Sequence, residues 1–441
     1  MKTITSIRFP ETFVKLILEL KENFTHPSFK HFKVILSAIL LGSPKKHITA
    51  GIRLNKPKGN FSNVHRFVSQ YKWDIHRLVF SLYQIIHRVV DFPKEPVFAL
   101  DDTLVPKYGK KIFGRACHFD HSSRPNRPKY IMGHNWVILG LLHYCSVFSK
   151  WLCLPLLAEL FIPESVLPKG RPHMSRIDIA AQMVTRIKQF VNTPFTLVAD
   201  GLYAKKNLVR HCIEESITFI SRLRCDACLY DIPKPCKKRG KGRPRKYGKR
   251  LPSLQALSQD PEGFKTYHLK LYGKIHVVDV KKVIGIWKPA GQPIQILMVH
   301  FDDSKSFAYF FSTALALSVE RILTLVAARW SIETLFSDLK EHLGMKDWQV
   351  RIEDAVVRSI PLTCVATSLL ILWSLGEASR RAPEFWDVQP WQTEKVSPSV
   401  ADMLHQLKAR SLSVTIFDIL RNEGIAPRKC AQIKQVLRQA A

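Results

Sequence analysis

Three acidic residues have the setting that phosphodiester chemistry needs. Two apolar runs end in aspartate: Phe98-Ala99-Leu100 leads into Asp101-Asp102-Thr103, and Leu197-Val198-Ala199 leads into Asp200-Gly201. An aspartate at the carboxyl end of a buried strand stands at a sheet edge, where ligands and metals gather. Two such strands side by side would bring carboxylates close enough to share divalent cations. Hard cations such as magnesium take oxygen ligands and keep positions open for phosphate oxygens and water. Read alone, each aspartate is explained at least as well as the start of a turn. The third acid, Glu333, is grouped with Arg329 and Lys340 at spacings of four and seven. At about 100° per residue the three fall within roughly 40° of one another on a helix. Leu325, Ile332, Leu339 and Leu343 form an apolar stripe beside them. In isolation, Arg329 and Glu333 read equally well as an ordinary helix-surface pair. Ile296 to Phe301 also ends in acids, Asp302-Asp303, but the following Phe307–Phe311 run makes that pair a hairpin turn, outside the site.

The elements that must carry these residues follow from hydrophobic period. Residues 1–94 have the three- and four-residue steps of helices, for example Leu78 to Ile86, interrupted by the basic stretch Arg53 to Asn60. Residues 95–223 hold short β-type runs around one helical stretch, Ile177 to Val191, the order of a mixed α/β sheet. Residues 224–316 open with a basic low-complexity segment and continue as strands, a β-rich insertion. In 317–375, Ser318 caps a long helix to Leu343, with Gly344 at its end, and an apolar helix follows near Leu362–Leu375. Residues 376–441 form a helical, basic tail.

Composition narrows the partners. Of 441 residues, 46% are hydrophobic, which excludes a wholly disordered chain. Sixty-seven basic residues stand against 36 acidic ones, a net charge of +31 whose self-repulsion a polyanion relieves, so nucleic acid is the expected partner. Nine sparse cysteines suit reduced thiols. Cys225, Cys228 and Cys236 fall one ligand short of a zinc site. The longest apolar run, Pro361 to Leu375, is shorter than the ~20 residues of a membrane helix. A soluble, cytoplasmic protein that uses no membrane and no nucleotide cofactor is expected.

Taken together, these residues resemble the DDE transposases of bacterial insertion sequences, in the branch with a Tyr-x2-Arg-x3-Glu-x6-Lys signature. Arg329, Glu333 and Lys340 match that signature in type and spacing, while Val326 holds the tyrosine position. Asp101-Asp102-Thr103 is similar to the family's Asp-x-Thr/Ser motif, Asp200-Gly201-Leu202-Tyr203 to its Asp-x-x-Tyr context, and Thr218 to Arg224 to the strand after the second acid. The resemblance covers roughly residues 95–375.

It implies an α/β, RNase H-like mixed sheet with a β-rich insertion before the last catalytic helix, plus an N-terminal helical DNA-binding domain. It implies two Mg2+ ions, with Mn2+ as a substitute, on Asp101, Asp200 and Glu333. Asp102 is the alternative first ligand; the Asp-x-Thr register favours Asp101. The activity implied is cleavage of double-stranded DNA at the element's terminal repeats and joining of the 3′-OH ends to target DNA, by a homodimer in the synaptic complex of the bacterial nucleoid. Arg329 and Lys340 would hold phosphates of the cut strand. Lys107 and Lys110, Arg222 and Arg224, and Arg243, Arg245 and Lys246 in the AT-hook-like Gly242–Lys246 are the further DNA-binding candidates. Other readings are an RNase H-like nuclease of another kind, or a DNA-binding protein that has lost catalysis.

Overall fold

The computed structural model describes residues 6–120, 125–126, 128–233, 245–302, 304, 306–381, 386 and 395–422. Helices α1 (Glu11–Glu19), α2 (His26–Leu41), α3 (Ile48–Asn55), α4 (Ser62–Ser69) and α5 (Ile75–Val89) come first. In α5 the apolar period does what it predicts: Leu78, Val79, Leu82, Tyr83, Ile85 and Ile86 are buried, and Asp74 caps the start by accepting from the His76 amide. Four strands follow, β1 (Val97–Pro106), β2 (Ala116–Phe119), β3 (Tyr130–Cys145) and β4 (Lys150–Phe161). Then come α6 (Arg176–Phe190), β5 (Thr196–Ala199), α7 (Lys206–Glu214) and β6 (Thr218–Arg222). Strands β7 (Leu229–Tyr230), β8 (Phe264–Leu271), β9 (Lys274–Trp287), β10 (Pro293–Phe301) and β11 (Ala308–Ser312) carry the β-rich segment, with α8 (Leu254–Gln259) between the first two. Helices α9 (Val319–Glu341), α10 (Glu353–Arg381) and α11 (Val400–Asn422) complete the described chain.

The strands form one mixed sheet in the order β2-β3-β1-β5-β6-β11-β10-β9-β7, with β4 beside β3 and β8 beside β9. The parallel trio β1, β5 and β6, with antiparallel β3 and β4 on its flank, is the RNase H-like arrangement. The β-rich segment continues this sheet rather than folding apart, because β11 pairs antiparallel with β6. Strands β10 and β11 form the hairpin expected after Ile296–Phe301. All four residues of β5 are buried, as a central strand covered on both faces requires. Helix α9 covers one face; α6 and α7 cover the other.

Strand β1 is longer than the apolar run suggests. Its pairing with β5 stops at Leu100–Ala199, but on the other edge β3 pairs with it through Pro106. Asp101 and Asp102 are therefore inside a strand, at the point where one of its edges becomes free.

Helix α10 also outgrows its apolar run. It is long and apolar enough to cross a membrane by length and composition, yet 89% of that window is buried by the rest of the protein. Helices α1, α2, α4 and α5 and strand β4 pack round it. Trp373 of α10 donates to the Thr12 hydroxyl at 3.0 Å, and Arg358 donates to the Val68 carbonyl at 3.1 Å while stacking over Trp73. The N-terminal helices and α10 share one hydrophobic core with the sheet.

Candidate active site

The sheet and α9 bring two of the acids onto one arginine and the third near it. Asp200 follows β5 directly and sits beside Asp101 in the register, one step past the last β1–β5 pair. Its backbone carbonyl is held by the Ser221 hydroxyl at 3.0 Å. Glu333 comes from α9, whose Leu325, Ile332 and Leu339 are buried, so that its polar edge borders the sheet. Ser318 starts this helix by accepting from the Arg321 amide at 3.1 Å, and Gly344 takes the left-handed conformation (φ 72°) just beyond its end.

Arg329 ties two of the acids together. Its Nη1 donates to Asp101 Oδ2 at 2.8 Å and its Nη2 to Glu333 Oε1 at 2.8 Å. The pair is protected: the side chains of Arg329 and Asp101 are only 15% and 17% exposed. Burial alone would lower the Arg329 pKa, but Asp101, Glu333 and Asp200 outweigh it and the pKa is raised. Burial pushes Asp101 up to about 7, against the opposing pull of Arg329 and of the Asp102 amide, with Asp102 and Asp200 adding to the rise.

Asp102 faces the other way, as alternation along a strand demands. Its Oδ1 accepts from Tyr203 at 2.9 Å, and its Oδ2 accepts from Asn135 and from Arg176 at 2.9 Å each. It is spent on holding β1, β3, α6 and the turn after Asp200 together. In the sequence Tyr203 stands only as context for the second acid, and its three-residue offset from Asp200 is the one signal that marks it. Nothing in the sequence marked Asn135 or Arg176.

A divalent cation would find a matching donor set here, since carboxylate oxygens are what magnesium and manganese take. The seated guanidinium shows that the spot accepts positive charge. Among the described residues, no three acidic, imidazole or thiol groups stand close enough together to hold a metal ion as they are placed. The acids match the ion in charge and donor type, and in this arrangement Arg329 is bonded to two of them.

The remaining candidates divide. Lys107 is corrected: it is buried, and its Nζ donates to the carbonyls of Met345, Lys346 and Trp348 at 3.2–3.4 Å, clamping the loop after α9 instead of meeting phosphate. Burial pushes its pKa down to about 8. Lys340 lies about 10 Å along the helix axis beyond Glu333, at 1.5 Å per residue; burial lowers its pKa, and Asp120 and Glu341 oppose that. Lys110, Arg222, Arg245 and Lys246 are exposed. Arg224 is exposed and forks onto Asp226. Arg243 and Cys236 lie outside the described residues; Cys225 and Cys228 are exposed thiols. Beside Asp200 a cleft of about 680 Å³ is lined by Gly201, Arg222, Arg224 and Tyr309. The tip of the β8–β9 hairpin reaches α9, where Tyr272 meets the half-exposed Trp330 edge to face, within the electrostatic reach of Arg329 and Glu333.

Two sequence families match the chain. The one described as "DDE superfamily endonuclease" matches residues 19–279, a span that includes Asp101 and Asp200. The one described as "Archaeal putative transposase ISC1217" matches residues 267–357, which include Arg329, Glu333 and Lys340. No curated protein matches the chain.

Proposed function

Because the chain belongs to the DDE superfamily endonucleases, we propose that it is a DNA transposase, cutting DNA at the ends of its own mobile element and joining the freed 3′-OH ends to target DNA. The observation that carries this reading is that Asp101 of β1 and Glu333 of α9 meet on the single guanidinium of Arg329, with Asp200, just after the neighbouring β5, near enough to act on its charge. In this reading Asp101, Asp200 and Glu333 hold two Mg2+ ions, with Mn2+ as a substitute, and Asp102 stays in its supporting network. Bound there, the ions would activate a water or 3′-OH and stabilise the leaving oxygen. Arg329 is placed to meet the negative charge that develops on the reacting phosphate. Arg222 and Lys110 are exposed cations that suit the flanking backbone; Arg245 and Lys246, with Arg243, suit a minor groove.

The N-terminal helices suit recognition of terminal repeats. Helices α3 and α4 are joined by a basic link, and Arg53, Lys56, Lys58 and Arg66 are exposed along them. The Arg-Glu-Lys spacing on α9 supports the YREK branch of bacterial insertion sequences. Two active sites are needed to process two ends, so a homodimer on DNA in the nucleoid is the working assembly.

The test is the full-length protein with labelled DNA carrying the element's ends and Mg2+ or Mn2+. Asp200→Asn and Glu333→Gln should each lose cleavage and joining by at least about a thousandfold, the scale of removing a group that acts on the transition state, while DNA binding in a gel-shift assay persists. Binding without cleavage by the unaltered protein under either ion overturns the reading. Cleavage of RNA–DNA hybrids without preference for element ends points to a nuclease of another kind.

A further inference from the structure

Arg329 occupies the place where a cation bound by Asp101 and Glu333 would have to sit. One guanidinium uses an oxygen of each, at 2.8 Å, and Asp200 is close enough to add to its field. A divalent ion and a guanidinium cannot share those oxygen faces, since both need the same lone pairs and repel each other. An ion bound through those oxygens therefore competes with the seated guanidinium. Arg329 and Glu333 share one turn of α9, so the backbone cannot part them; a side chain must move, and the arginine has the longer and more flexible stem. A withdrawn guanidinium needs a new anion. The exposed anion that this basic surface attracts is a DNA phosphate.

We propose that Arg329 is an internal counter-ion that keeps Asp101, Asp200 and Glu333 assembled without metal and that a DNA phosphate must draw it off before divalent ions enter. Metal binding and DNA binding are then coupled, each strengthening the other by the same factor. The protein does not carry a charged metal centre while it searches for DNA. This rests on the reading of Asp101, Asp200 and Glu333 as the cation-binding acids.

The experiment measures Mn2+ binding to the full-length, DNA-free protein by titration calorimetry. Arg329→Gln should bind Mn2+ about tenfold more tightly than the unaltered protein, within the usual range of coupling between sites. The double variant Arg329→Gln, Asp200→Asn should lose that gain. A second measurement needs no variant: DNA affinity in Ca2+ should exceed that in EDTA at matched ionic strength by a similar factor. Equal or weaker Mn2+ binding by Arg329→Gln, or no rise in DNA affinity with Ca2+, overturns the proposal. If the unaltered protein binds Mn2+ tightly without DNA and Asp200→Asn abolishes it, the carboxylate assignment stands and the counter-ion role falls. If the double variant binds as tightly as Arg329→Gln, the carboxylate assignment falls as well.

Discussion

Consecutive aspartates on β1 have opposite duties because a strand points successive side chains to opposite faces. Asp102 is enclosed by Tyr203, Asn135 and Arg176, so its neutralisation is felt as stability. Asp102→Asn should cost about 1–3 kcal/mol in urea unfolding, the scale of leaving buried partners unmatched. Asp101→Asn, which removes charge from a crowded acidic group, should lose cleavage with little loss of stability. Equal stability losses in the two variants would refute this division. Lysines also have unexpected roles. Lys46 is buried, donates to the Leu40 carbonyl, and lies near Lys408 and Asp347; burial and Lys408 push its pKa down to about 7, against the pull of Asp347. A lysine whose folded pKa lies below its unfolded value takes up a proton on unfolding, so stability rises as pH climbs from about 7 towards the ordinary lysine value of ~10.4. Lys46→Met should flatten that rise, measured by urea unfolding across this range. An unchanged slope would show that Lys46 is not the group responsible.

At the level of elements, the acids on β1, just after β5 and on α9 were legible because apolar runs that end abruptly in aspartate, and a helix face that mixes Arg and Glu, leave short-range marks in sequence. What lay beyond reach was long-range pairing. The apolar run stopping at Leu100 gave no sign that β3 would carry β1 on to Pro106, since strand pairing is fixed by a partner about thirty residues away. Lys107 read as a phosphate ligand because its neighbours are basic, but the three carbonyls that claim it come from 345–348. The two tryptophans near α9 show the same limit: by type they are equal, by environment they are not. Trp348 is buried, with its indole N–H on Thr363, whereas Trp330 is 53% exposed. Trp348→Ala should destabilise by about 3–5 kcal/mol, and Trp330→Ala by less than ~0.5 kcal/mol, both by chemical denaturation. Similar losses at the two sites would contradict this contrast in burial.

For the whole molecule, charge and composition pointed to a polyanionic partner, and that reading needs no folding detail. The packing of the N-terminal helices was not legible, because the apolar faces of α1, α2, α4 and α5 do not announce what they cover. They cover α10, which carries enough apolar surface to span a bilayer. Removing residues 1–94 should therefore leave a protein that aggregates or binds the dye ANS strongly, rather than a soluble catalytic core; a monodisperse, cooperatively unfolding fragment would show the helices to be dispensable. The same wrapping has a consequence during synthesis. At roughly 5–20 residues per second, the ~290 residues between the end of α5 and the end of α10 take about 15–60 s to emerge from the ribosome. Throughout that interval α1, α2, α4 and α5 wait without the partner they enclose, so their apolar faces stay open to holding chaperones until α10 has emerged.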